Sequence, residues 1–263
     1  MATHDEMAKR YLHGLGVEIG AFQSPIPGIQ PVYIDKFESF DGQDCRLDFR
    51  GDADRLPVAA DSLDYVASSH VLEHTANPVA ALLEWQRVLK PGGVVYCVIP
   101  DYHFTFDRHR RPTSARHMID DYRAGTGDVD ATHIDDFIDG IDWREIRPDL
   151  DEAEIRSTQE AHRRAYHAQV KRGEGINIHF HVFDSRSFRG LIAALQRDRS
   201  AGFKLELIEI VERFPDEARN GFLAVLRKKG RDHWGHRVRH WWRGRGNADY
   251  PFDPAARAKP NET

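Results

Sequence analysis

Three short segments between Asp101 and Val182 place histidine beside carboxylate or beside a second histidine. That is the equipment needed to take a proton from a weakly acidic hydroxyl. Thr132-His133-Ile134-Asp135-Asp136 puts an imidazole at a helix start, with Asp136 three residues on and spaced to orient it. Ile178-His179-Phe180-His181-Val182 alternates, so an extended backbone would turn both imidazoles to one face. Asp101-Tyr102-His103-Phe104-Thr105-Phe106-Asp107-Arg108 directly follows an apolar strand, at the edge where open α/β sheets bind ligands. His133 is the favoured base, with Asp136 to orient it and His181 as a second candidate. Tyr102, His103, Asp107, Arg108 and His179 are candidates for holding an acceptor, although Asp107 and Arg108 could equally pair with each other. His133, Asp136, His179 and His181 could instead converge on a divalent cation, although their spacing matches no metal motif. A plainer reading applies to all of them: most of the 15 histidines belong on the surface or in a satisfied core.

Such residues need regular elements to hold them, and the best-punctuated stretch is Ser62 to Pro100. Leu63–Ala67 is a short apolar run ending in Ser68-Ser69-His70. Asn77 then caps a helix whose first residue is Pro78, where a missing N–H costs nothing. Val79, Leu82, Leu83 and Leu89 predict one apolar face, Pro91-Gly92-Gly93 is expected to stop the helix, and Val94–Ile99 to form a buried strand. Strand, helix, strand with short loops predicts a right-handed crossover in a parallel sheet. Earlier strands are predicted at Val17–Gly20 and Pro31–Ile34, with a weaker one before Gly51-Asp52-Ala53. After Asp101 the pattern turns helical: Arg116–Tyr122, Ile134–Trp143 and Asp151–Lys171. It resumes with a helix over Ser185–Gln196 and strands over Lys204–Ile210 and Phe222–Leu226. The fold expected is α/β, a Rossmann-like doubly wound and mostly parallel sheet with an antiparallel last strand. A helical insertion over about 101–182 follows the fifth strand and roofs the site.

S-x-H-V-L-E-H over Ser68–His74 and R-V-L-K-P-G-G over Arg87–Gly93 resemble the class I S-adenosylmethionine (SAM) methyltransferases of the small-molecule, type 11 branch. The resemblance implies a SAM cofactor and methyl transfer from a sulfonium. It also implies cofactor-binding roles for Glu18, Gly20 and Ala21 in the first turn, and for Asp35 on the ribose. Asp52 and Ala53 would serve the adenine side, with Ser69 and His70 near the sulfonium. Val17-Glu18-Ile19-Gly20-Ala21-Phe22-Gln23-Ser24 departs from the family's G-x-G-x-G turn, because Phe22 and Ser24 replace the later glycines. Each of these residues could instead be a loop cap or turn residue. Glu73 and His74 belong to the motif but are read as hydrogen-bonding in the turn before Asn77. D-x-x-F-T-F-D-R, I-H-F-H-V-F and S-P-I-P-G resemble a branch of sugar and polysaccharide O-methyltransferases. That implies a carbohydrate hydroxyl, a mannoside among the options, as acceptor. Mg²⁺ is a cofactor option, since some O-methyltransferases use it to lower the hydroxyl's pKa. Methylation of another small metabolite at O or N is the alternative, and a SAM-binding protein without turnover is the non-enzyme rival.

Composition narrows the partners. From Arg227 to Thr263 ten Lys/Arg stand against four Asp/Glu, which leaves the preceding residues at −11 out of a total of −5. Thirteen carboxylates from Asp120 to Glu154 face only Arg123, Arg144 and Arg147. A body this acidic argues against nucleic acid and for a small-molecule or oligosaccharide acceptor. No run approaches the roughly 20 apolar residues of a membrane span. Met1–Gly14 carries no signal-peptide core, and Cys45 and Cys97 fit no metal or disulfide spacing, so a cytoplasmic protein is expected. Residues 1–230 are read as the catalytic domain and 231–263 as a basic, partly disordered tail. Trp234, Val238 and Trp241 in that tail could line a short cationic helix that docks on the body, a membrane or a partner in a homodimer.

Overall fold

Strands that are apolar on both faces need cover on both sides. Val94–Ile99 meets that condition, being almost completely buried from end to end in a computed structural model that describes residues 3–40 and 42–230. The strands are β1 (Gly16–Ile19), β2 (Val32–Asp35), a β3–β4 hairpin (Ser39–Phe40, Gln43–Asp44), β5 (Phe49–Arg50), β6 (Leu63–Ser69), β7 (Leu89–Pro100), β8 (Leu205–Phe214) and β9 (Gly221–Lys228). Seven form one sheet in the order β5-β2-β1-β6-β7-β9-β8. Pairing is parallel from β5 to β7, and β9 runs antiparallel to both β7 and β8. The expected mostly parallel sheet with an antiparallel last strand is therefore present.

Helices α1 (His4–Tyr11), α2 (Pro78–Val88), α3 (Ala115–Ala124), α4 (Ile134–Gly140), α5 (Trp143–Ile146), α6 (Glu152–Lys171) and α7 (Ser185–Arg197) complete the described residues. Asn77 Oδ1 accepts from Ala80 N at 3.0 Å, which starts α2 at Pro78 as its sequence requires. The face of α2 differs in detail from the expected one. Val79, Ala81, Leu82, Trp85 and Val88 are buried, Leu83 is only partly so, and Leu89 belongs to β7 rather than to the helix. One sheet face packs against α2, α3 and α7 through Trp85, Met118 and Leu191. The other receives α1 through Met7, Ala8 and Leu12, which cover Tyr65 and Tyr96. Cys97 is fully buried in β7, where Ser68 Oγ donates to its sulfur at 3.3 Å.

The helical stretch after β7 is not one roof. Met118 places α3 in the main core beside α2 and α7. Residues of α4, α5 and α6 build a separate core with Ile176, Ile178 and Phe180. The single helix expected over Ile134–Trp143 is interrupted: α4 ends at Gly140, and the Asp142 side chain caps α5. Residues 178–182 form no strand. Instead Phe180 N donates to Glu73 O at 2.8 Å and Thr113 N to Val182 O at 2.8 Å, so this segment is laced between two loops. No helix among the described residues is long and apolar enough to cross a membrane. The tail helix expected around Trp234 and Trp241 lies outside the described residues.

Arg110 ties the insertion together. Its guanidinium, 1% exposed, donates to Asp107 Oδ1 at 2.8 Å, His179 O at 2.9 Å and Asp136 Oδ2 at 2.6 Å. The acid at 107 thus pairs with Arg110, not with Arg108, whose partners are Asp142 and Glu145. Removing one partner of a buried pair strands the other charge, at a cost of about 3–5 kcal/mol. Arg110→Ala is expected to lose about that much in denaturant unfolding, while exposed Arg111→Ala stays within about 0.5 kcal/mol of wild type. Equal stability of the two variants would contradict the clamp.

Candidate functional site

A parallel sheet opens where its strand order reverses, because the loops leaving the two strands run to opposite sides. Here that point lies between β1 and β6, and a cavity of about 820 Å³ occupies the carboxyl ends of β1, β2, β5 and β6. Of the eight residues expected to bind a cofactor, Gly20, Ala21, Asp35, Asp52, Ala53, Ser69 and His70 line it. The turn after β1 explains its sequence. Gly20 has φ +66°, and a Cβ there would stand 2.5 Å from Val71 Cγ2, so only glycine fits. Phe22, two residues on, keeps a glycine-like φ of +45° while adding an aromatic ring. Such a conformation costs about 1–3 kcal/mol for a residue with a side chain and persists only where the surroundings impose it. The ring meets Phe40 edge-on at 5.8 Å, and Phe37 lies 6.2 Å from Phe40 on the same rim. Sequence reasoning missed Phe37 and Phe40. The one available signal was an aromatic residue in place of a turn glycine.

Glu18 does not face the cavity. It is fully buried beneath the turn, where its Oε1 accepts from Ile26 N at 2.9 Å. Burial pushes its carboxyl up to about 7, against the pull of that hydrogen bond and of Arg46. Its role is to anchor the loop that leaves Gly20. Asp35 closes β2 with its carboxylate held by Phe37 N at 2.9 Å, and burial raises its pKa. Lys36 spans the mouth, contacting Asp52 Oδ1 at 3.5 Å and pairing with Asp128 from the loop after α3.

The wall after β6 holds two histidines, His70 and His74, in a polar pocket that burial makes unusual. His70 has φ +54°, and its Nδ1 lies 3.6 Å from Glu73 Oε1. Burial lowers His70 to about 4 and His74 to about 3, while it pushes Glu73 up to about 7. Glu73 is not the hydrogen-bonding turn residue its position suggests. It is 1% exposed and neither carboxylate oxygen has a hydrogen-bond partner. His179 lies behind His74, with ring centroids 4.5 Å apart, and its Nδ1 meets Asp107 Oδ2 at 2.5 Å. Burial opposes the charge on Asp107, yet His179 and Arg110 hold its pKa below the usual carboxylate value.

The remaining expected residues separate. His179 and His181 do not share a face: His179 joins Asp107, whereas His181 joins His133, His117 and Asp121. Asp136 does not orient His133, because α4 turns it outward to Arg110 with 68% of its side chain exposed. His133 and His181 are buried outside the cavity lining. Tyr102 and His103 also lie off the cavity. Their ring centroids are 3.9 Å apart with the planes tilted by 33°, and His103 Nδ1 is 2.7 Å from Asp101 Oδ1. Of the four residues considered for a cation, only His133 and His181 come together.

Residues 34–97 match the family described as a methyltransferase domain. An uncharacterized methyltransferase of Schizosaccharomyces pombe is 49% identical over 43 residues, 16% of this chain and 16% of that protein. A demethylmenaquinone methyltransferase of Staphylococcus aureus is 46% identical over 48 residues, 18% of this chain and 20% of that protein. The matched segment thus spans no more than 20% of the length of these curated relatives. An S-adenosylmethionine-dependent methyltransferase structure from Mesorhizobium loti is 14% identical with a TM-score of 0.43, covering 86% of this chain and 99% of that one. One from Methanosarcina mazei is 16% identical with a TM-score of 0.42, covering 85% and 97%. Residues 34–97 carry a methyltransferase domain segment, and five of the seven cavity-lining residues named above lie within it.

The buried Glu18 carboxyl makes stability depend on pH. Its folded pKa of about 7 exceeds the ordinary 4.5, so the folded state keeps a proton that the unfolded chain has released between those values. That contribution is present below the unfolded pKa and lost as pH rises through the folded one. A glutamine keeps the Ile26 contact without the titration. The melting temperature of Glu18→Gln relative to wild type is therefore expected to rise between about pH 5 and about pH 8. A difference that stays constant with pH would contradict the protonated, buried carboxyl.

Proposed function

We propose that this chain transfers a methyl group from SAM to a hydroxyl of a small, hydroxyl-rich acceptor of the carbohydrate class. The observation that carries the reading is the cavity itself, where the left-handed Gly20 turn, Asp35 and Asp52 face one crevice and the two acids fall within the matched segment. Each suits one part of the cofactor. An acid closing the second strand matches a ribose diol. The Gly20 turn admits close backbone approach by the amino-acid part. Asp52 can accept from the adenine amino group, and Phe37 and Phe40 offer apolar cover beside it. When bound, SAM supplies an electrophilic methyl on a sulfonium.

The chain's own work is to hold the attacking oxygen and take its proton. Lys36, Asp128, Thr75 and Asn177 also line the cavity and supply polar groups suited to acceptor hydroxyls. His70 is the proposed base in place of His133, which the fold buries elsewhere. It lies on the cavity wall, its burial-lowered pKa keeps it neutral near pH 7, and Glu73 Oε1 stands 3.6 Å from its Nδ1 without a hydrogen bond between them. On this reading the protein works in the cytoplasm on a small-molecule or oligosaccharide acceptor. Methylation of another small metabolite at O or N is the second reading, since the same wall can accept a proton from either.

The test is incubation with methyl-labelled SAM and parallel panels of glycosides, phenols and amines, with products read by mass spectrometry. Label is expected on a glycoside hydroxyl. His70→Asn, chosen because asparagine tolerates left-handed backbone, is expected to slow transfer by about 10²-fold or more. Label on amines alone would overturn the hydroxyl assignment, and full activity in His70→Asn would overturn the base.

A further inference from the structure

Outside the cavity, α3 and the start of α4 bring together side chains that the cofactor site does not use. His117 and Asp121 stand one turn apart on α3, His133 occupies the N-cap position of α4, and His181 arrives from the segment before α7. One potential ligand atom from each lies within 4.8 Å of all the others. His117 Nε2 is 3.1 Å from His133 Nε2 and 3.3 Å from Asp121 Oδ2, and His133 Nε2 is 3.5 Å from that same oxygen. A tetrahedral ion with nitrogen and oxygen ligands at about 2.0–2.1 Å spaces them at about 3.3 Å. These three edges already have the size of one coordination face.

The hydrogen bonds around the cluster aim it inward. His133 Nδ1 lies 3.0 Å from Thr132 Oγ1, and donation there leaves the Nε2 lone pair facing the centre. Thr126 Oγ1 donates to Asp121 Oδ1 at 3.3 Å, while Asp121 Oδ2 is buried with no hydrogen-bond donor. Outer contacts of this kind fix the tautomer and orientation of metal ligands. A proton shared between His117 and His133 would satisfy those two nitrogens and still leave Asp121 Oδ2 unserved. His181 Nε2 lies 3.8 Å from that oxygen but 3.0 Å from Ala76 O, so its ring closes one side of the cluster.

We propose that His117 Nε2, Asp121 Oδ2 and His133 Nε2 form a three-ligand site for a divalent cation of the zinc class, with its fourth position open beside His181. Two imidazoles select such a borderline ion over Mg²⁺, which takes oxygen ligands. The site stands independently of the methyl-transfer reading. A bound ion would tie α3 to the start of α4 behind the cavity wall, to which Thr126 and Ala76 belong.

The full chain, stripped with chelator, is loaded with Zn²⁺ or Co²⁺ and dialysed. Metal is counted by elemental analysis and Co²⁺ geometry is read from its visible bands. One Zn²⁺ per chain, unaffected by excess Mg²⁺, and the absorption of tetrahedral Co²⁺ are expected. His117→Ala, at a side chain 53% exposed and so tolerant of truncation, is expected to weaken binding at least about tenfold and abolish the Co²⁺ bands. Asp121→Asn should do the same, whereas His109→Ala should match wild type. Failure of wild type to retain metal, displacement by Mg²⁺, or equal retention in His117→Ala and wild type would overturn the site.

Discussion

The constraint behind the whole arrangement is the reversal of strand order between β1 and β6. Parallel strands deliver all their carboxyl ends to one edge, and the loops after β1 and β6 must diverge there. The cavity is the space that divergence leaves. Everything that lines it is positioned by where a strand stops: Gly20 one residue past β1, Asp35 as the last residue of β2, Gly51 one past β5, and Ser69 as the last of β6. Backbone hydrogen bonds lock those ends in register, with Gly20 N donating to Ile34 O and Gly51 N to Asp35 O, both at 2.9 Å. A ligand that needs groups from four strands at once can be met without any of them moving.

Around this frame the chain buries several ionisable groups. Glu18 under the first turn, Glu73 behind His70 and Arg110 between three segments all sit in places where charge is expensive. Each is answered differently. Arg110 has carboxylates and carbonyls on all sides. Glu18 shares one hydrogen bond with the loop it anchors and is pushed to about 7 by burial. Glu73 has no hydrogen-bond partner for its side chain and is likewise pushed to about 7. The carboxyl that is least compensated is the one beside the cavity wall.

Local grammar carried the sheet and the residues of the cavity wall. Pro91-Gly92-Gly93, expected to stop the helix, lies inside β7 after α2 has ended at Val88, but Asn77-Pro78 marks its own helix start, and an acid or glycine at a strand end is where the edge of an open sheet must be. These signals act over a few residues, so they survive being read without a structure. The acceptor side was legible only as an inventory. His133 and Asp136 are three residues apart, yet the imidazole meets Asp121 and the carboxylate meets Arg110, because α4 packs its apolar residues inward and leaves Asp136 at the edge. His179 and His181 part company for a related reason. Their segment is held by backbone hydrogen bonds to Glu73 and Thr113 rather than in a strand, so period-two alternation has no force. Pairings over 60 or 70 residues, such as Arg110 with His179, follow from packing that no spacing rule encodes.

Every role proposed for the crevice requires that it hold an adenosyl ligand. Calorimetric titration of the purified chain with S-adenosylhomocysteine, alongside Asp35→Asn, tests this most directly. One saturable site per chain is predicted, weakened at least about tenfold when the Asp35 carboxylate is replaced, as loss of a charged hydrogen-bond partner implies. Absence of binding in wild type, or equal binding by the two proteins, would contradict it.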